Sequence, residues 1–249
     1  MNTFMAAKAM YGNGLRIFTY HSIDRAPAGT PLPKLHVSPD MFERQCRWLA
    51  RLGMRGVSMS EGYRALRAGN AGKLVAITLD DGYQDNVRNA APILKRHGFG
   101  ATCYVVTDTI GGNNAWDAVL GVPRAMMSEG ELRTWHQQGL EIGSHTRTHP
   151  HLDRLDPAAL VAELSESRQR LQALTGAPVE HFCYPYGDHN AAVVEAARQA
   201  GYVTATTTRK GIARPSDDPL QLPRISINGG RGISKFVLYA ATPYAELRR

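Results

Sequence analysis

Residues 73–107, KLVAITLDDGYQDNVRNAAPILKRHGFGATCYVVT, set out a strand, a helix and a second strand. The apolar run 73–79 is of strand length and stops at Asp80-Asp81-Gly82. A helix is predicted over 84–97, ended by Gly98, a residue that tolerates the left-handed backbone following a helix. Residues 101–107 read as a further buried strand. Strands joined by helices in this way form βα units, and such units build parallel sheets.

The alternation extends both ways. Upstream lie a strand at 16–20 (RIFTY), a helix at 39–52 capped by Ser38, a weak strand at 56–59 and a helix near 61–67. Downstream come a helix from 129 to 138 capped by Ser128, a strand at 140–143, and a helix opened by Asp156-Pro157 and closed at Gly176. Strands at 179–184 and 202–208 flank a helix at 191–200, and a last helix covers 233–241. Residues 108–127 form a Gly-rich insertion of the length usual for lids and binding loops. Seven or eight units without a linker or internal repeat predict a single α/β domain over 15–249, after an extension at 1–14. No glycine-rich phosphate loop follows the first strand, which favours a barrel over an open sheet.

The 249 residues are enough to bury a core without a disulfide or metal staple. A composition of 43% hydrophobic and 20% charged residues excludes disordered and fibrous classes. The net charge of +7 is scattered, with no stripe of aromatics alternating with Lys and Arg, so no nucleic-acid partner is expected. Cys46, Cys103 and Cys183 are odd in number and unpaired in spacing, the pattern of reduced thiols; the last two fall in apolar runs and read as core residues. No run approaches the roughly 18 apolar residues of a membrane span, and 4–7 is too short for a signal-peptide core. A cytoplasmic location is expected, with peripheral contact to an anionic membrane open to a chain of this charge.

Three predicted strands end in polar residues, and parallel α/β folds gather such ends on one face. Asp80 and Asp81 sit side by side; adjacent strand residues point opposite ways, so one carboxylate could hold a metal while the other handles a proton. A plain helix-entry turn is the alternative. In SHTRTHPHL, 144–152, His145 and His149 are spaced i, i+4, which predicts one face of a helical turn and suits one divalent ion. With a strand-end Asp they make a two-histidine, one-carboxylate set typical of catalytic metal sites. In FCYPYG, 182–187, a rigid turn offers fixed N–H groups, one of which could hold an oxyanion; taken by itself the motif reads better as an ordinary turn stiffened by Pro and Gly.

The ordered set TLDDGY (78–83), SHTRTHPHL and FCYPYG resembles the polysaccharide deacetylase family, also called the NodB-homology or carbohydrate esterase family 4 domain. The resemblance covers residues from about 15 to 241 and implies a distorted (β/α) barrel of about seven strands. It implies removal of N-acetyl groups from amino sugars with one divalent metal, commonly zinc, with cobalt, nickel or manganese as alternatives. By position, Asp81, His145 and His149 are the implied metal ligands, and Asp80 the base for the metal-bound water. The backbone N–H of Tyr186 is the implied oxyanion donor, and Tyr184 and Tyr186 the substrate-binding residues.

Two departures from the family pattern stand out. Phe182 occupies the place of an arginine that pairs with the base, and Arg224 could supply the missing guanidinium, unless it is a surface residue. No histidine follows His189 to act as the usual acid; a subset of the family carries a Tyr-His pair on its first strand, here Tyr20-His21, which makes His21 the candidate general acid. A strand-end histidine that only bonds the backbone is the alternative. His151, Asp188 and His189 are expected at the rim.

The leading expectation is a metal-dependent deacetylase of an amino sugar in a glycan, or in a lipid- or nucleotide-linked precursor. The alternatives are an amidohydrolase of small or formylated amides and a catalytically silent glycan-binding module.

Overall fold

The computed structural model describes the backbone of residues 13–120 and 123–246. Most of the extension expected at 1–14, residues 1–12, lies outside the described residues. Eight parallel strands are present: β1 (Arg16–Tyr20), β2 (Arg55–Val57), β3 (Leu74–Leu79), β4 (Thr102–Val105), β5 (Glu141–Ser144), β6 (His181–Cys183), β7 (Thr204–Lys210) and β8 (Leu222–Ser226). Seven of them close a barrel, because β1 pairs with β8 on one side and with β3 on the other. The eighth, β2, lies against the first half of β3, whose second half pairs with β4 on the same side. The chain is therefore a single (β/α) barrel of seven closed strands with one short strand outside the ring.

Local chemistry accounts for most boundaries. Ser38 caps α1 (Pro39–Arg51) by accepting from the Met41 N–H, and Ser58 caps α2 (Met59–Arg67) through Glu61. The predicted helix 84–97 widens into a π turn over Asn86–Ala90 before α3 (Ala91–His97). Pro92 lacks the N–H that the ladder needs, and the wider turn accommodates the missing bond. Ser128 and Glu131 form a reciprocal capping box on α4 (Glu129–Gln137). Asp156 caps α5 (Pro157–Thr175), Asn190 caps α6 (Ala191–Gln199), and α7 (Ile233–Ala241) completes the ring.

One barrel strand carries no clear sequence signal. In β8 the sequence LPRIS places Pro223 inside a central strand, where a ladder donor is lost. The β7–β8 register correspondingly shifts between Thr206 and Lys210.

The core has two parts. Phe18, Ile77, Phe182 and Ile225 pack outward against the helices, with Phe18 edge-on to Phe236 of α7 at 5.4 Å between ring centroids. Ile17, Ala76, Tyr104, Cys183 and Leu222, the alternating set, form a second cluster with Leu15, Met59 and Leu66. Further along the same alternation come Thr19, Thr78, Asp80 and Arg224, all buried polar residues. Apolar filling of the barrel thus gives way to polar filling toward the carboxyl ends of its strands. Among the described residues no helix is long and apolar enough to cross a membrane.

Candidate active site

The carboxyl ends of the strands surround a cavity of about 420 Å³ that reaches His21, Asp80, Asp81, His145, His149 and Arg224. This lies within the range of roughly 300–1,000 Å³ common for small-ligand sites. Asp80 extends β3 by donating its N–H to Tyr20 O at 2.9 Å. The chain then turns through Asp81, held in the left-handed region at φ 79°, and Gly82 at φ 89°. That reversal gives the two carboxylates separate partners.

Asp80 belongs to Arg224. The guanidinium grips both carboxylate oxygens, Nη1 to Oδ1 and Nη2 to Oδ2, each at 2.8 Å. Arg224 is itself fixed by donating from Nε to Thr207 O at 3.0 Å and lies 4% exposed. Burial pushes the Asp80 carboxyl up, but the charge and hydrogen bonds of Arg224 outweigh it and hold the group below the ordinary carboxylate range. Phe182, where the family pattern has arginine, is fully buried against Tyr184 and Tyr202. The guanidinium reaches Asp80 from β8 instead.

Asp81 belongs to the histidines. Its Oδ1 lies 3.4 Å from His145 Nε2 and 3.6 Å from His149 Nε2. The Nδ1 of His145 donates to Cys183 O at 2.7 Å, which turns Nε2 toward Asp81. Burial raises the Asp81 carboxyl, yet contact with His145 and the charges of His21 and His149 take it well below the usual range. For His149, burial and the charge of His145 lower the imidazole to about 3.

The two histidines do not share a helical face as their spacing suggests. Residues 145–149 form an irregular turn in which Thr146 (φ 70°) and His149 (φ 63°) are both left-handed. The turn is held by Glu163, which accepts from the Arg147 and Thr148 N–H groups at 2.8 and 3.0 Å. Convergence therefore comes from a strained loop braced by α5.

The donor set fits a divalent cation. One ligand atom from each of Asp81, His145 and His149 lies within 4.8 Å of the others, and all three residues are buried. Of the two adjacent carboxylates, Arg224 pairs with Asp80, and Asp81 faces the imidazoles of His145 and His149. A cation between Asp81 and the imidazoles would balance the second and take their Nε2 lone pairs.

The remaining predicted residues also border the cavity. His21 follows β1 and lines the same space as Asp80 and Asp81, with its backbone carbonyl accepting from Asn86 Nδ2 at 2.8 Å. Tyr184 is buried and donates its hydroxyl to Leu220 O at 2.9 Å, so only part of the ring meets the cavity. Tyr186, at φ 58°, is 44% exposed, stacked on His151 at 4.1 Å and edge-on to His149 at 4.6 Å. At the rim, Asp188 Oδ2 sits 2.5 Å from His151 Nδ1, and His189 stacks on Tyr184.

Several residues acquire a place here that their sequence context does not announce. Cys183, read as a core residue, has its thiol 3.5 Å from Asp80 Oδ2 and accepts from Arg224 Nη2 at 3.1 Å. Trp116 and Asp117 enter the cavity from the 108–127 insertion, Trp116 stacked on His149 at 4.5 Å. Only the length of that loop hinted at a role, because nothing local ties an isolated Trp-Asp pair to the His145–His149 motif.

Comparison with known proteins bears on the family and the fold. The family model described as polysaccharide deacetylase matches residues 67–205. YxkH of Bacillus subtilis (strain 168), whose name describes a protein of that kind, is 29% identical over 227 residues, covering 90% of this chain and 75% of its own. The poly-beta-1,6-N-acetyl-D-glucosamine N-deacetylase of Staphylococcus aureus (strain MRSA252) is 25% identical, covering 77% of this chain and 68% of its own. The structure of the Streptococcus pyogenes deacetylase PplD in complex with acetate superposes with a TM-score of 0.80. It is 28% identical and covers 92% of this chain and 99% of that one.

Proposed function

From the premise that the chain belongs to the polysaccharide deacetylase family, we propose that it removes N-acetyl groups from amino sugars of a glycan with one bound divalent cation. The observation that carries the proposal is the pairing of a buried Asp81–His145–His149 set with an adjacent carboxylate, Asp80, locked by Arg224. Asp81, His145 and His149 would hold the cation, whose chemistry when bound would be to polarise an amide carbonyl and lower the pKa of a water molecule. Zinc suits the two-imidazole, one-carboxylate set best, with cobalt, nickel or manganese able to substitute.

The chain's own residues supply the rest. Asp80 accepts the proton of the attacking water, and Arg224 keeps it ionised and aimed for that step. His21, which lines the same cavity, gives a proton to the departing amine. The N–H of Tyr186, fixed by a strained backbone, donates to the oxygen that gains charge in the transition state. The rings of Tyr184 and Tyr186 offer apolar surface to a sugar. The name of the staphylococcal relative makes β-1,6-linked N-acetylglucosamine the first glycan to test. A lipid- or nucleotide-linked precursor on the cytoplasmic side, with the +7 chain resting on an anionic surface, is the second substrate form.

The test is acetate release from N-acetylglucosamine oligomers before chelation, after chelation and after zinc is restored. Release lost and regained in step with the metal is the expected result. Metal-loaded protein that releases nothing from oligomers or linked precursors, yet hydrolyses small formylated amides, overturns the substrate class. Saturable glycan binding without turnover overturns the enzymatic reading.

A further inference from the structure

We propose that Trp116, on the loop between β4 and α4, is a positioning residue for His149, an inference that rests on the metal centre proposed above. The argument begins from an asymmetry between the two histidines. A ligating imidazole is normally oriented by a hydrogen bond from its second nitrogen. His145 has one, from Nδ1 to Cys183 O. The Nδ1 of His149 is buried and has no hydrogen-bond partner among the described residues. A ring without such a bond sits on a broad torsion and is not held to one orientation by its own covalent geometry.

Aromatic packing holds it instead. The indole of Trp116 lies nearly parallel to the His149 ring, 21° apart with centroids at 4.5 Å, while Tyr186 meets it at 74°. The loop that brings Trp116 is itself built firmly. Asn114, 3% exposed, accepts from Arg124 N at 2.6 Å and donates to Asp117 Oδ2 at 3.1 Å. At the loop's end the Met127 N–H donates to Gly82 O at 2.9 Å, within the turn that carries Asp81. The insertion is therefore anchored to one ligand's turn and packs on the other ligand's ring, and it sets their relative placement.

The test measures Zn²⁺ affinity by competition with a chromophoric chelator, for the wild type and for Trp116→Ala and Trp116→Phe. Thermal melting of each metal-free protein checks the fold, and Trp116→Leu replaces the alanine variant if that one does not fold. The expected result is a loss of about tenfold or more in Trp116→Ala, the scale seen when an orienting partner of a metal ligand is removed. Trp116→Phe should recover most of it. The visible bands of the Co²⁺-loaded protein should shift in the alanine variant and not in the phenylalanine variant. Wild-type affinity and an unchanged Co²⁺ spectrum in Trp116→Ala overturn the inference, as does a phenylalanine variant no better than alanine. A wild-type protein that binds neither Zn²⁺ nor Co²⁺ refutes the metal centre itself, a result distinct from these.

Discussion

The barrel has a largely buried polar cluster at each end, and the two are built on different terms. Where the strands begin, both nitrogens of His181 are paired, with Ser60 Oγ and Thr204 Oγ1 each at 2.8 Å. Glu141 accepts there from the Ser60 N–H and the Thr102 hydroxyl. No residue of that cluster has a left-handed backbone. Where the strands end, the cluster includes all four non-glycine residues with positive φ among the described residues: Asp81, Thr146, His149 and Tyr186. Left-handed backbone costs an L-residue about 1–2 kcal/mol, so it persists only where surrounding structure enforces it. One end settles its polar groups at low cost and stabilises the barrel. The other keeps strain, an imidazole nitrogen without a hydrogen-bond partner among the described residues and two adjacent carboxylates, the mark of a site arranged for chemistry.

The largest effects should come from the strained end. Asp80→Asn is expected to lower turnover by about 10³-fold, within the range for loss of a positioned base, while metal content by elemental analysis stays at the wild-type level. His145→Ala or His149→Ala should lose both. Near-normal acetate release by Asp80→Asn would break the distinction between the two carboxylates. Removing the guanidinium should cost stability as well: Arg224→Met leaves a buried charge unpaired, and breaking such a pair costs about 3–5 kcal/mol in denaturant titrations. Arg224→Lys should keep more of the stability than of the turnover, because lysine cannot grip both oxygens.

The opposite end should respond in stability alone. Burial lowers the imidazole of His181 below its ordinary value. The unfolded chain then takes up this proton first, at about pH 6.5. Stability from this group is complete above that pH and is lost as pH falls toward the lower folded value. His181→Asn should flatten this acid limb in melting-temperature curves and leave kcat/KM unchanged. A matching loss of activity at constant fold would mean that the lower cluster acts on the site. The smallest effect is expected at Tyr186. Tyr186→Gly relieves the φ 58° strain, so stability should hold or rise by under about 1 kcal/mol, with KM for oligomers raised.

Much of the fold was legible because its signals are local. Ser38, Ser128, Asp156, Gly98 and Gly176 punctuate helices through bonds that span only a few residues, and the apolar runs between them declare the strands. Legibility fails where a residue's environment contradicts its neighbours in the chain. Pro223 hides β8, Pro92 recasts a regular helix as one with a π turn, and the i, i+4 spacing of the histidines suggests a helix where a braced loop stands.

The sequence alone determined which residues could do chemistry: the Asp-Asp-Gly turn, the paired histidines and the Tyr-Pro-Tyr-Gly turn each carry their meaning within a few positions. Only the tertiary structure decided how they are matched. Arg224 meets Asp80 across 144 residues of chain, and Cys183 orients His145 from 38 residues away. Trp116 meets His149 from a separate loop. Those encounters follow from closure of the barrel, which places the ends of parallel strands within a few ångströms of one another whatever their separation in sequence. No local propensity encodes that distance.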